Sequence, residues 1–295
     1  VDADVGYYVG STAATTQTSC AAGTYQPSTG QSSCTDASAG YYVDSTAATA
    51  QTACAAGTYQ PSTGQTSCID ASAGYYVAST ASITPTACAA GTYQPNTGQT
   101  SCTNASTGHY VGSTGSASQT ACALGTYQPN TGQSSCIYAN TGNYVNTTAA
   151  TSQTPCSPGT YQNQSGQTSC IDADAGYWVS GSAAGYQDAC SIGTYQPSTG
   201  QSSCLDADAG YYVASTGSSS QTACASGTYQ PLTGQTSCTD ADAGYYVDST
   251  AATSQTACAA GTYQASTGQT SCDDADTGYY VASAESASQT ACAAG

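Results

Sequence analysis

The sequence predicts an all-β, partly irregular, disulfide-rich fold arranged as an elongated tandem-repeat rod, and three periodicities predict it. Glycine recurs at 6, 23, 40, 57, 74 and onward to 278 and 295, always 17 residues apart. Two residues after each glycine stands an aromatic, Tyr8, Tyr25, Tyr42 and so on to Tyr280, with Trp178 the only substitution. Cysteine follows twice that step, so units of about 17 residues alternate with and without a cysteine pair, giving a 34-residue period. Self-similarity at a fixed short period is the signature of repeat architectures, in which each unit is too small to bury a core and stacks on its neighbours.

The cysteine-bearing unit reads as in Cys20-Ala-Ala-Gly-Thr-Tyr-Gln-Pro-Ser-Thr-Gly-Gln-Ser-Ser-Cys34, with one cysteine three residues before the glycine and the other eleven after it. In the other unit those places hold alanine (Ala3, Ala37, Ala71, Ala105, Ala139, Ala173, Ala207, Ala241, Ala275) and glutamine (Gln17, Gln51, Gln119, Gln153, Gln187, Gln221, Gln255, Gln289), with Pro85 the one exception. Two positions that gain and lose cysteine together are expected to be bonded to each other. The preferred pairing is therefore Cys20 with Cys34, Cys54 with Cys68, Cys88 with Cys102, Cys122 with Cys136, Cys156 with Cys170, Cys190 with Cys204, Cys224 with Cys238 and Cys258 with Cys272. Cys292 is left over, and its partner is expected eleven residues beyond Gly295, in a longer chain of which residues 1–295 form one continuous array without a globular boundary. The competing scheme joins Cys34 to Cys54 and onward, and leaves Cys20 unpaired. In the preferred scheme each closed loop removes roughly 3 kcal/mol of unfolded-state entropy; the cysteine-free units are expected to lean on the bridged ones beside them.

Local structure follows from residue type. Gly-Thr-Tyr-Gln and Gly-Tyr-Tyr-Val are short β-prone runs, and Gln-Pro-Ser-Thr-Gly supplies proline and glycine at turn positions. No stretch carries helical periodicity with usable caps. With no methionine, no phenylalanine and few large aliphatics, the interior is expected to be a thin column of tyrosine rings and disulfides.

Composition excludes several functions. The chain has no lysine and no arginine against 17 acidic side chains, all aspartate but Glu285. Nucleic acid and anionic membrane surfaces both require cations on the protein, so neither is an expected partner. Seventeen cysteines in strict register, outside any zinc spacing, point to an oxidising compartment and an extracellular, cell-surface or appendage location. Neither a signal peptide nor a membrane span is recognisable in the sequence.

The bridged unit, Cys-x-x-Gly-Thr-Tyr with a second cysteine after the turn, resembles the ephrin-receptor-like cysteine-rich repeat, related in shape to the modules of tumour-necrosis-factor receptors. In that family each unit ends in Cys-x-x-Cys, and the next begins at the second of those cysteines; here Cys34-Thr-Asp-Ala37 and Gln51-Thr-Ala-Cys54 stand in those places. The resemblance runs the length of the chain, although half the units lack the family's bridge. It implies large surface proteins of the kind found in protist coats and in the flagellar hairs called mastigonemes, and equally receptor ectodomain stalks; it brings no catalytic residues.

Candidate chemistry is sparse. Hydrolase or transferase machinery needs a base and a nucleophile, and the single histidine, His109, stands where other units have the first tyrosine after glycine. No enzyme activity is expected. Asp-x-Asp-x-Gly occurs at Asp2/Asp4/Gly6, Asp172/Asp174/Gly176, Asp206/Asp208/Gly210, Asp240/Asp242/Gly244 and Asp274/Asp276/Gly278. Paired carboxylates ahead of a glycine resemble the opening of a calcium loop, but the ligand that completes such a loop is missing. An Asx turn is the favoured reading, and any calcium at Asp172, Asp174, Asp206, Asp208, Asp240 or Asp242 is expected to be weak. No other cofactor is expected. Asn104-Ala-Ser, Asn146-Thr-Thr and Asn163-Gln-Ser are acceptor sequons for N-glycans, and serine/threonine runs such as residues 45–49 and 249–253 suit O-glycans. These features together predict a glycosylated structural component of an extracellular filament, surface hair or coat that associates with copies of itself; the alternative is a cell-surface adhesin or receptor stalk.

Overall fold

The computed structural model describes residues 1–293. They fall into two compact units, one of residues 1–138 with 145–153 and the other of residues 139–144 with the described residues from 154 onward. Both are built from the same element, and no helix occurs among the described residues.

That element is a two-stranded antiparallel hairpin, one per 17-residue repeat. Tyr7–Tyr8 pairs with Thr18–Ser19, Thr24–Tyr25 with Thr35–Asp36, and Tyr41–Tyr42 with Thr52–Ala53, and the same register continues to Tyr279–Tyr280 with Thr290–Ala291. The repeating glycine opens each hairpin. It sits in a tight turn closed by a backbone bond from Tyr7 N–H to the Asp4 carbonyl or, in the bridged kind, from Thr24 N–H to the Ala21 carbonyl. Gly6 has φ +81° and Gly23 φ +91°, values that residues with a β-carbon rarely adopt.

A lone two-residue hairpin is not stable in water, and the neighbours supply what it lacks. Each repeat bonds to the next through its backbone: Gly23 N–H to the Val43 carbonyl (2.8 Å), Gln26 N–H to the Ala48 carbonyl (3.0 Å), and Ala47 N–H back to the Cys20 carbonyl (2.8 Å). Within each unit, a repeat also packs on the one after next. A β-carbon added at Gly57 would lie 2.3 Å from the Gly98 carbonyl oxygen, and one added at Gly40 would lie 2.3 Å from that of Ala81. Glycine is therefore required twice over, for its φ and for this close approach of two backbones. Because the packing step is two repeats, bridged hairpins pack on bridged hairpins and cysteine-free on cysteine-free, while the hydrogen bonds join unlike neighbours.

The interior differs from the expected tyrosine column. The closed positions are the residue three before each glycine, alternately alanine and cysteine (Ala3, Cys20, Ala37, Cys54), together with the third residue after it, Val43, Val77 or Val111 in cysteine-free repeats and Gln26, Gln60 or Gln94 in bridged ones. The tyrosine rings are mostly half-buried and lie over this thin core. The reason is positional: the hairpin strands carry the tyrosines at the outside of each repeat, whereas the turn and the strand end reach its centre. Alanine, cysteine, valine and glutamine fill that centre, and the few large aliphatics, such as Ile69 and Leu205, stand exposed outside it.

Candidate functional site

The feature that repeats with the fold is a pair of alternating clamps. In bridged repeats the clamp is covalent. The structure brings together Cys20 and Cys34, Cys54 and Cys68, Cys88 and Cys102, Cys122 and Cys136, Cys156 and Cys170, Cys190 and Cys204, Cys224 and Cys238, and Cys258 and Cys272, with Cα–Cα distances of 5.7–5.8 Å. The first cysteine of each pair is fully buried and the second half-exposed. Cys292 is free and exposed. A second brace lies inside the same loop, where the buried Gln26 donates from Nε2 to the Ser33 carbonyl (2.8 Å) and accepts at Oε1 from Ser28 N–H (3.1 Å). Equivalent bonds recur down to Gln264 with Ser271 and Ser266. These two bonds satisfy both ends of an amide that would otherwise be costly to bury.

In cysteine-free repeats glutamine replaces the second cysteine, and it clamps the same two chain segments without a covalent bond. Gln17 Oε1 accepts from Asp4 N–H (2.8 Å) and Gln17 Nε2 donates to Asp4 Oδ2 (2.9 Å). Gln187 holds Asp174, Gln221 holds Asp208 and Gln255 holds Asp242 in the same manner, with distances of 2.6–2.7 Å. Where serine replaces the aspartate, as at Ser38 with Gln51 and Ser106 with Gln119, the backbone bond alone is made, at 2.7 Å. Pro85 has no amide with which to do this. Cysteine-free repeats with the glutamine thus carry a clamp of their own, in addition to the support of their neighbours.

This clamp also shows what the paired aspartates do. The second carboxylate of each pair, on Asp174, Asp208 or Asp242, accepts from a glutamine amide. The turn bond is made by the aspartate's backbone carbonyl, as from Tyr177 N–H to Asp174 and Tyr211 N–H to Asp208, in place of the side-chain Asx bond expected. The first carboxylate serves a different neighbour. Asp172, Asp206 and Asp240 end the second strand of a bridged hairpin and lie over Gly200, Gly234 and Gly268 of the bridged repeat after next, where an added β-carbon would come within 3.5–3.7 Å of the carboxyl carbon. The two carboxylates are committed in different directions. Among the described residues no three of histidine, cysteine, aspartate and glutamate gather as a metal site requires.

His109 keeps to the repeat. Its Nδ1 lies 3.1 Å from the Thr107 carbonyl, and Asn143, at the same place two repeats on, donates to the Thr141 carbonyl at 3.1 Å. Asn104, Asn146 and Asn163 are all exposed. Asn146 and Asn163 lie in loops; Asn104 stands on a strand opposite Thr92, and its carboxamide lies over Gly132, 3.4 Å from where a β-carbon would be. One electrostatic coupling stands out: a hydrogen bond to Glu285 raises the Tyr245 hydroxyl above its ordinary value, helped by desolvation and by the charges of Glu285 and Asp242. The concavities are shallow and repeat as well. Grooves of about 460, 480 and 490 Å³ open beside Cys34, Cys68 and Cys136, each lined also by the aromatic two residues after the glycine of the preceding repeat, Tyr8, Tyr42 or Tyr110.

Residues 74–122 match the family described as tyrosine-protein kinase ephrin type A/B receptor-like. That span covers one bridged repeat, closed by Cys88 and Cys102, with the cysteine-free repeats on either side. No curated protein matches the chain.

Proposed function

We infer that the match over residues 74–122 extends to the whole array, whose eight recurring disulfides support ephrin-receptor-like cysteine-rich repeats, a disulfide-rich all-β architecture suited to an extracellular module. No helix among the described residues is long and apolar enough to cross a membrane.

We propose that the protein is a non-enzymatic structural component of an extracellular filament, surface hair or coat, glycosylated and associating with copies of itself. The observation that carries this reading is that, within each of the two units, repeat after repeat makes the same backbone bonds to the next repeat and the same close packing contact with the one after it. A fold assembled from one repeated contact offers uniform mechanical linkage along the chain, and strict periodicity makes every surface feature recur, which suits ordered association between copies. Catalysis calls for a singular constellation of groups; here sixteen of the cysteines, the buried glutamines and the aspartates Asp4, Asp174, Asp208 and Asp242 are held in structural bonds that recur with the repeat. Electron microscopy of the secreted protein is the test: fibrils or ordered arrays support the filament, and dispersed single chains at high concentration overturn it.

A second reading has support from the receptor-like family match. As the stalk of a cell-surface receptor or adhesin, the same repeats serve as a spacer. Retention of the protein on washed cells, with no fibrils in the medium, is the outcome that favours the stalk.

A further inference from the structure

The charge of this protein is unevenly placed. Five of the 17 acidic side chains lie at or before Asp70 and twelve at or after Asp172, so residues 71–171 carry no aspartate, glutamate, lysine or arginine. Within that uncharged stretch one bridged repeat departs from the others. Tyr138 stands where its equivalents are Asp36, Asp70, Asp172, Asp206, Asp240 and Asp274. Ile137 precedes it on the same strand, and Leu124 stands where Ala22, Ala56 and Ala90 do. All three are exposed, Leu124 at 51%, Ile137 at 42% and Tyr138 at 67% of their surface. Tyr138 also joins Tyr110 in lining the 490 Å³ groove beside Cys136, a second ring that neither of the grooves beside Cys34 and Cys68 has.

We infer that the bridged repeat bearing Leu124, Ile137 and Tyr138 is the face through which two copies of this chain associate. The inference rests on the self-associating reading above and names its contact. The argument for a second copy as the occupant is electrostatic. With a net charge of −17 and no cation anywhere in the sequence, two copies meeting through their charged stretches bring carboxylate against carboxylate, with no lysine or arginine to offset the repulsion. The uncharged stretch is where that repulsion is least. Interface centres are depleted of charge and enriched in tyrosine, and this repeat combines both, with no charged side chain and with Tyr138 exposed beside the groove that Tyr110 also lines. Apolar side chains of similar exposure occur elsewhere, as at Ile192 and Leu205, but Asp206 adjoins the latter.

The repeat supplies its own folding control, because each substitution can install what sibling repeats already hold at that place. The variant Leu124→Ala, Ile137→Thr, Tyr138→Asp is compared with wild type and with Ile192→Ala, Leu205→Thr by sedimentation velocity on the secreted, oxidised protein with its glycans in place. The expected result is at least a tenfold weakening of association for the triple variant, at unchanged thermal stability, and wild-type association for the double variant. Wild-type protein that sediments as a monomer at every concentration overturns the self-associating reading and this inference with it. Wild type that associates, with a triple variant that associates equally well, overturns this inference alone. A triple variant that no longer folds is replaced by Tyr138→Asn, the asparagine standing at the equivalent Asn104; the same weakening is expected of it, and its absence overturns the inference.

Discussion

Placing a methyl group at Gly57 separates the two demands that the repeat makes on its glycine. Gly57 has φ +91°, and a β-carbon there would lie 2.3 Å from the carbonyl oxygen of Gly98 and 3.0 Å from its carbon. Both are backbone atoms, so relief requires moving a whole repeat by about 1 Å. Gly30 offers the comparison: it has φ +70°, and an added β-carbon meets nothing within 4 Å. Gly30→Ala carries only the left-handed backbone penalty, roughly 1–2 kcal/mol. Six cysteine-free repeats already accept that penalty, at Ala47, Ala81, Ala149, Ala183, Ala251 and Glu285. Gly57→Ala adds overpacking, roughly 1–3 kcal/mol, for a total of about 2–5 kcal/mol. Repeat arrays do not always unfold in one step, so hydrogen exchange followed by mass spectrometry is the assay, with protection read separately in the affected repeats. Gly57→Ala is expected to release protection in its own hairpin and in the repeat containing Gly98, while Gly30→Ala has a smaller effect. Equal effects from the two substitutions would refute the two-repeat packing step.

Three further outcomes follow from the same contacts. Gln51→Ala, which removes the bond to Ser38 N–H, is expected to destabilise its repeat by about 1 kcal/mol in denaturant titration, whereas Ala37→Cys with Gln51→Cys, oxidised in air, closes one further bridge, read as loss of two hydrogen atoms by intact mass and a gain of roughly 3 kcal/mol over the reduced form. Because the bond to Glu285 raises the Tyr245 hydroxyl, its contribution to stability is complete below the ordinary tyrosine value of about 10 and is lost as pH rises through the raised one; Glu285→Gln is expected to reduce the alkaline loss of protection in the hairpin of Tyr245–Tyr246. Glycopeptide mapping is expected to find Asn146 and Asn163 occupied more fully than Asn104, whose carboxamide is held over Gly132; equal occupancy at all three would show that this packing does not restrict access.

Much of the fold can be read from periodicity alone, since a 17-residue step with glycine and an aromatic in fixed register leaves little else than one hairpin per repeat. The cysteine pairing is visible for a related reason: Cys20 and Cys34 vanish together in the next repeat and return together in the one after it. The position of the tyrosines is less accessible. Their size suggests a core, but burial depends on where the strands carry them, and the hairpins hold them at the surface while Ala37 and Val43 occupy the centre. The role of Gln17 and its equivalents was present in the sequence as a substitution for cysteine at a fixed place. What the sequence did not supply was the direction of the amide, which selects the neighbouring aspartate as its partner and makes the second aspartate of each pair half of a clamp. The stacking of like repeats depends on three-dimensional superposition, and its only trace in one dimension is the invariance of the glycine.

Every reading of this protein depends on bridges that close within a repeat, and peptide mapping of the native, unreduced chain tests them directly. Cleavage after tyrosine separates Cys20 from Cys34 at Tyr25, and Cys34 from Cys54 at Tyr41 and Tyr42. Recovery of the peptide containing Cys20 joined to the one containing Cys34, and of Cys54 joined to Cys68, is the predicted result. A peptide containing Cys34 joined to the one containing Cys54 would contradict it, because the bridge would then cross the cysteine-free repeat and the alternating clamps would not exist.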